Sequence, residues 1–496
     1  MPDDPPSSEC SGHGTCQLAR EEAGYEVYEC VCEAGWLGDN CNDELQIVNV
    51  SVELMFPLTV TGDARAAHQL AAAQLAIDSV NTGGMLQIDR LHHYHLRAVE
   101  MDTALLRALN GSQLQRAHVD QIGRLLEVSG AAAAVGAGWS SDVAALAPAL
   151  ANTLLLTPSA TAASLSNTTR LPTFGRLVMP DDQQSIALAD VVQRGRGQLG
   201  WQKIGMVRCD DLYCRGLAEG TYKQLALAGI EVVEIGIISL GTEKFERRSM
   251  ESSLEAVRQW LEDCAGVDND GTAVVLLLTH AREGQALLEM AGGGLPTSWL
   301  GSEAIGSASL SSDAAQGSVL ALAPGGLDPE HALYKHLQLQ LPQAAEDAYA
   351  RRAFDAVYTI AHAMKAVLDE GGSVDNATAL AQSARAVSFD GASGDVRLDN
   401  SLDRVGSFEL RLFTGEHAVQ NESSSSVAHV EAIGQWNAHD RSIVFRLEGM
   451  DSLVPICAPA DPQIAWCGDA VEDGCLTESL TVVFAVLLVL VLVLIC

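Results

Sequence analysis

Positive charge is scarce in this chain. Its 496 residues carry 30 Lys and Arg against 64 Asp and Glu, a formal net charge of −34. Such a field repels nucleic-acid phosphates and anionic lipid surfaces, so a nucleic-acid partner is excluded. Net charge speaks to solubility and partners, not to fold, and a saline habitat would account for it equally well. Catalytic signatures are missing too: there is no G-x-S-x-G elbow, no GxxxxGK[ST] loop and no H-E-x-x-H, and Cys264 has no recognisable histidine partner motif. An enzyme is therefore not expected, nor a cofactor, nor a metal site. His93 and His95 share a strand face, but two histidines do not complete a metal site and suit an edge strand as well. The first residues, MPDDPPSSEC, have neither the basic stretch nor the apolar stretch of a signal peptide.

What is present points outward from the cell all the same. A 48% hydrophobic composition rules out bulk disorder, and the length calls for two or more domains. Five of the twelve cysteines fall between Cys10 and Cys41, and three more at Cys457, Cys467 and Cys475. That clustering suits an oxidising compartment. Five N-x-S/T sequons, at Asn49, Asn110, Asn167, Asn376 and Asn421, agree with secretion.

The N-terminal cysteines Cys10, Cys16, Cys30, Cys32 and Cys41 are separated by five, thirteen, one and eight residues. This lacks the paired knuckles of a structural zinc site, and so short a segment needs covalent staples. The pattern CSGHGTC…CxC…GWxGxxC resembles an epidermal-growth-factor-like domain over residues 10–41. That resemblance implies Cys10 joined to Cys30 and Cys32 joined to Cys41, with Cys16 lacking a partner that would lie just upstream of Cys10. The missing cysteine and signal peptide together lead us to expect that the natural N-terminus lies further upstream. The carboxylate motif of calcium-binding members is absent from MPDDPPSSEC.

From 45 to 450 strand-like and helix-like segments alternate with no short repeat, an α/β pattern. Strands are expected at 46–54, 96–100, 131–136, 153–157, 203–207, 230–235, 273–278 and 298–301. Helices are expected at 64–80, 143–151, 183–192, 216–227, 250–261 and 354–368, where apolar residues recur at three-and-four spacing. About 400 residues exceed one doubly wound unit, so two lobes with a cleft between them are expected. Two of the strands end in small hydroxyl residues, Ser140 and Ser141 after the first, Thr157, Ser159 and Thr161 after the second. The carboxyl ends of strands in an open α/β sheet are where ligands sit.

Several segments, in order, carry a resemblance. They are Gly136-Ala137-Gly138-Trp139-Ser140-Ser141, Pro158-Ser159-Ala160-Thr161, Pro180-Asp181-Asp182-Gln183, the Asp210-Asp211-Leu212-Tyr213 loop, Trp299-Leu300-Gly301-Ser302-Glu303, Phe354-Asp355-Ala356-Val357-Tyr358, and Phe389-Asp390-Gly391-Ala392-Ser393-Gly394. The chain resembles the type I periplasmic-binding-protein fold of the receptor ligand-binding-region family. That family includes bacterial branched-chain amino-acid binding proteins and the ectodomains of metabotropic glutamate, GABA type B and natriuretic peptide receptors. The resemblance implies two doubly wound parallel sheets and an amino-acid site between them. Ser140 and Ser141 would take the ligand carboxylate, Ser159 and Thr161 its ammonium and carboxylate, Asp182 and Glu303 its ammonium, and Tyr213 would close over it. The ordinary alternatives are an N-cap for Ser141, turn chemistry for Ser159 and Thr161, solvated surface for the two acids and core packing for Tyr213. The chain departs from the family at Cys214, where glycine usually follows the tyrosine; with Cys209 it could form a local disulfide or stay free. Trp139 would narrow the pocket toward small ligands, and no basic residue is placed for a second ligand carboxylate.

After 450, a cysteine-containing juxtamembrane segment (451–479) leads into seventeen apolar residues from Leu480 to Cys496. At ~1.5 Å per residue these span about 25 Å. The run is expected to be a transmembrane helix cut short, with a glycolipid-anchor signal near Gly468, Asp469 and Ala470 as the alternative. The whole then reads as a receptor of the cell membrane with residues 1–479 outside. Its expected partners are a small amino-acid-like ligand and the membrane, with a homodimer admitted. The rival is a peptide- or protein-binding receptor or adhesion ectodomain whose cleft stands unused.

Overall fold

The computed structural model describes residues 10–22, 25–33, 36–44, 46–59, 64–86, 92–108, 113–241, 243–267, 272–295, 297–316, 319–415 and 427–445. The expected juxtamembrane and transmembrane segments, their four cysteines, and the sequons at Asn110 and Asn421 lie outside the described residues. Among those described, no helix is long and apolar enough to cross a membrane. Asn49, Asn167 and Asn376 are all exposed.

The N-terminal cysteines hold two small antiparallel pairs, β1 (Gly14–Glu22) with β2 (Tyr25–Cys32) and β3 (Trp36–Leu37) with β4 (Asp43–Glu44). Disulfides join Cys10 to Cys30 and Cys32 to Cys41, while Cys16 has no disulfide partner. The His13 and Trp36 rings stack with centroids 3.4 Å apart. Two bridges and one ring pair thus stand in for a core that so few residues cannot supply.

The first lobe is a five-stranded parallel sheet of β5 (Gln46–Phe56), β6 (His92–Asp102), β7 (Ala133–Gly136), β8 (Leu154–Thr157) and β9 (Phe174–Arg176), in the order β6-β5-β7-β8-β9. Every residue of β7 and β8 is buried, as expected of central strands covered on both faces. Helices Arg65–Thr82 and Ala348–Asp369 pack on one side through Ala72, Ala76, Ala353 and Phe354. Gln113–Ser129 and Ser140–Leu146 cover the other. His93 and His95 lie on the edge strand β6.

The second lobe contains β10 (Trp201–Cys209), β11 (Val233–Ile238), β12 (Thr272–Leu278), β13 (Ser298–Gly301) and β14 (Val319–Pro324). After the small hairpin β15 (Ser388–Gly391) and β16 (Gly394–Arg397) come β17 (Ser407–Thr414), β18 (His429–Asn437) and β19 (Ile443–Phe445). The sheet order is β11-β10-β12-β13-β14-β17-β18-β19. Both lobes therefore repeat one doubly wound strand order. Both expected doubly wound parallel sets are present, and in the second lobe β17, β18 and β19, not expected from the sequence, add as antiparallel strands beyond β14. Their alternating burial, plain in β17, is that of an edge with one wet face, which carries a weaker apolar signal than a buried run. Pro148 also ends the helix expected at 143–151 early, turning Ala147–Leu150 into a 3₁₀ turn.

The chain crosses between lobes three times, near 177–180, 325–331 and 403–406, because 332–402 return to the first lobe. These crossings are stitched to one another. Arg176 donates to Asp403 at 2.5 Å with both side chains buried, and Arg404 donates to the Leu177 carbonyl at 3.1 Å. The Gly325 amide meets the Ser407 carbonyl at 2.9 Å.

Candidate functional site between the lobes

The turn after β7 is set by backbone geometry. Gly136 has φ +130°, and a Cβ there would stand 2.0 Å from the Met55 carbonyl oxygen. Ala137 follows in the left-handed region at φ +53°, its amide donating to that same carbonyl at 2.7 Å. A non-glycine residue held there stores strain, which surrounding structure must oppose. The opposition comes from the turn after β8. Thr157 Oγ1 donates to the Ala137 carbonyl, Ser159 Oγ to the Gly138 carbonyl at 3.0 Å, and the Ala162 amide to Ser140 Oγ at 3.1 Å. Arg176, at the end of β9, donates to the Ala160 and Ala162 carbonyls and to Ser166. The two hydroxyl-bearing loops are one laced unit.

Against this unit the second lobe presents Tyr213, His280 and Glu303. Together with Gln69, Trp139 and Tyr349 of the first lobe they enclose a cavity of about 80 Å³, several times the ~10–15 Å³ that holds one water. It opens into a cleft of about 1750 Å³. Glu303 begins a short helix just past β13 and is 2% exposed. Its Oε2 accepts from the Tyr349 hydroxyl at 2.9 Å, a hydrogen bond from one lobe to the other. Its amide donates to Gln184 Oε1 at 2.7 Å. Burial raises the carboxyl's pKa, opposed by the charge of Arg352 and by the Tyr349 bond.

Behind Thr161 and Tyr213 stands a second acid. Asp181 is 1% exposed, its Oδ1 accepting from Gln184 while Oδ2 has no hydrogen-bond partner. Burial pushes its pKa up to about 8 despite Thr161 and Arg176, so near neutrality its carboxyl is chiefly uncharged. Tyr213 is buried as well, its phenol pKa raised by burial and by the acids Asp181 and Glu303. The His280 ring meets Trp139 edge-on at 4.8 Å across the lobes and Tyr213 at 5.1 Å.

Of the residues expected from sequence, Ser140, Ser159, Thr161, Tyr213 and Glu303 line this one cavity. Ser141 lies instead on the wall of the outer cleft. Asp182 is exposed, and the buried acid is its neighbour Asp181. The Ser140 and Ser159 hydroxyls are engaged with main chain, so besides lining the cavity they hold the loops together. Sequence reasoning missed Asp181, His280, Tyr349 and Arg65. His280 sits two residues beyond β12, and strand ends are where it should have been sought. Arg65, on the cavity wall, is a basic residue that sequence alone did not place; Glu303 and Asp347 both feel its charge. Cys209 and Cys214 are joined as a disulfide. A cavity lined by a buried carboxyl, phenols and hydroxyls, with a second buried carboxyl behind its wall, suits a small polar cation that also accepts hydrogen bonds.

No curated protein matches this chain. Residues 68–415 match the family model described as "Receptor family ligand binding region". That span takes in all three lobe crossings, every strand of both sheets except β5, β18 and β19, and every residue named around the cavity except Arg65, and by it the chain belongs to the receptor ligand-binding-region family.

Proposed function

We propose that this chain is the extracellular ligand-binding part of a membrane receptor, and that it takes a small amino acid or amino-acid-like ligand between its lobes. The observation that carries this is the meeting of Glu303 and the Ser159–Thr161 loop in a single small cavity, with Asp181 buried just behind it. The ammonium would be received by Glu303 and, once ionised, by Asp181. The carboxylate would be received by donors of the Ser140 and Ser159 loops. Ligand contacting both lobes favours the closed state by its differential affinity, and closure repositions whatever follows the second lobe. Arg65 offers a cation for a second carboxylate, which widens the ligand class to acidic amino acids. The N-terminal module is proposed to be epidermal-growth-factor-like, and residues 480–496 a membrane anchor.

A second reading, a peptide or protein ligand, draws on the size of the outer cleft. Thermal melts of the chain against the twenty amino acids and GABA separate the two. A ligand at 100 times its Kd adds about 2.7 kcal/mol. A selective shift lost in Glu303→Gln and in the Ser159→Ala, Thr161→Ala pair supports the amino-acid site. A well-folded protein that shifts with none of them supports the peptide or protein reading.

A further inference from the structure

Beside the cavity the loop between β10 and helix Leu212–Leu227 gathers a donor set that amino-acid binding does not use. Cys209, Asp211, Cys214 and His280 each offer one ligating atom, and these atoms all lie within 4.8 Å of one another. Both cysteines are fully buried and His280 is 8% exposed. Asp211 Oδ2 lies 2.7 Å from His280 Nε2, while Oδ1 accepts from the Cys214 amide at 2.9 Å and stands 3.7 Å from Cys209 Sγ. Two sulfurs, an imidazole and a carboxylate around one point make a tetrahedral set for a borderline-soft divalent ion. With metal–sulfur bonds of ~2.3 Å and metal–nitrogen bonds of ~2.0 Å, such ligands stand about 3.3–3.8 Å apart. The four atoms therefore need to move little once the sulfurs part.

We propose that Cys209, Asp211, Cys214 and His280 form a zinc site that exists only when the Cys209–Cys214 disulfide is reduced. A dithiol reductant delivers two electrons and two protons to the disulfide, becoming a disulfide itself and leaving two thiols. Zinc then displaces both thiol protons to solvent. The oxidised form, favoured in an oxidising compartment, withholds the site and leaves Asp211 to cap the helix and to hold His280. Because the His280 ring also meets Trp139 of the opposite lobe, the metal would restrain a residue on the cavity wall.

Cobalt(II) titration of the full chain tests this without any need for the receptor's ligand. Cysteines outside the disulfides, such as Cys16 and Cys264, are alkylated first, the protein is then reduced with a dithiol, and the reductant is removed. Reduction also opens Cys10–Cys30 and Cys32–Cys41, so the expected result is one equivalent of cobalt beyond what the identically treated Cys209→Ser, Cys214→Ser variant holds, with thiolate charge-transfer and tetrahedral visible bands, displaced by one equivalent of zinc. The oxidised protein shows no such bands, the double variant lacks that equivalent, and His280→Ala binds at least tenfold more weakly. Folding of each sample is followed by circular dichroism. Folded, reduced protein without that extra equivalent overturns the proposal, as do bands as strong in the double variant as in the wild type, equal binding by the oxidised form, or binding indifferent to His280→Ala.

Discussion

Asp181 keeps one carboxyl oxygen unpartnered in the interior, so the fold favours its neutral form. Its contribution to stability is complete below the ordinary carboxylate value of 3.8 and is lost as pH rises toward and through about 8. Melting temperatures from pH 4 to 8 should therefore fall more for the wild type than for Asp181→Asn, with the variant the more stable at pH 8. Parallel curves would refute the assignment. An ammonium nearby would favour the carboxylate, so ligand binding should release protons and tighten toward pH 8; titration calorimetry in buffers of different ionisation heat reads this. Tyr349→Phe removes the donor to Glu303 and leaves a buried acceptor unpaired, at a cost of about 1–3 kcal/mol. As that bond joins the lobes, the loss should appear as roughly tenfold weaker binding of any cleft ligand.

At the scale of the element, the two loops over the cavity depend on one glycine. Gly136→Ala places a methyl against the Met55 carbonyl in a conformation that L residues avoid, and should destabilise by more than ~1–3 kcal/mol. Thermal denaturation checks it; a neutral result would mean that the loop rearranges freely. Elements are also where the sequence was most readable. Buried strands such as β7, β8 and β12 are continuous apolar runs, and their ends led to Ser140, Ser159 and Thr161. Periodicity could not choose between Asp181 and Asp182, since adjacent residues at a helix start differ in burial only through what packs on them. Tyr349 and Arg65 stayed hidden because each opens a long helix far along the chain from the loops it faces. The half-wet strands β17, β18 and β19 gave too little apolar contrast to be placed.

Across the whole molecule, the lobes are joined by three crossings whose rigidity rests on Arg176, Asp403 and Arg404. Asp403→Asn leaves the Arg176 guanidinium buried without its counter-ion and should cost about 3–5 kcal/mol. Chemical denaturation measures the loss, and scattering should show a broader distribution of lobe angles.

The threefold crossing also governs how the protein is made. The first lobe cannot finish until the segment ending near Leu402 has emerged from the ribosome, since Phe354, Ala392 and Leu402 belong to its core. The open side of β14 has no strand to pair with until Ser407–Thr414 follows. The preceding strands and helices must wait, partly assembled and with a bare sheet edge, until the segment through Thr414 has followed. Late truncations should therefore be handled by the cell's quality control as failures of both lobes, not of the one they cut.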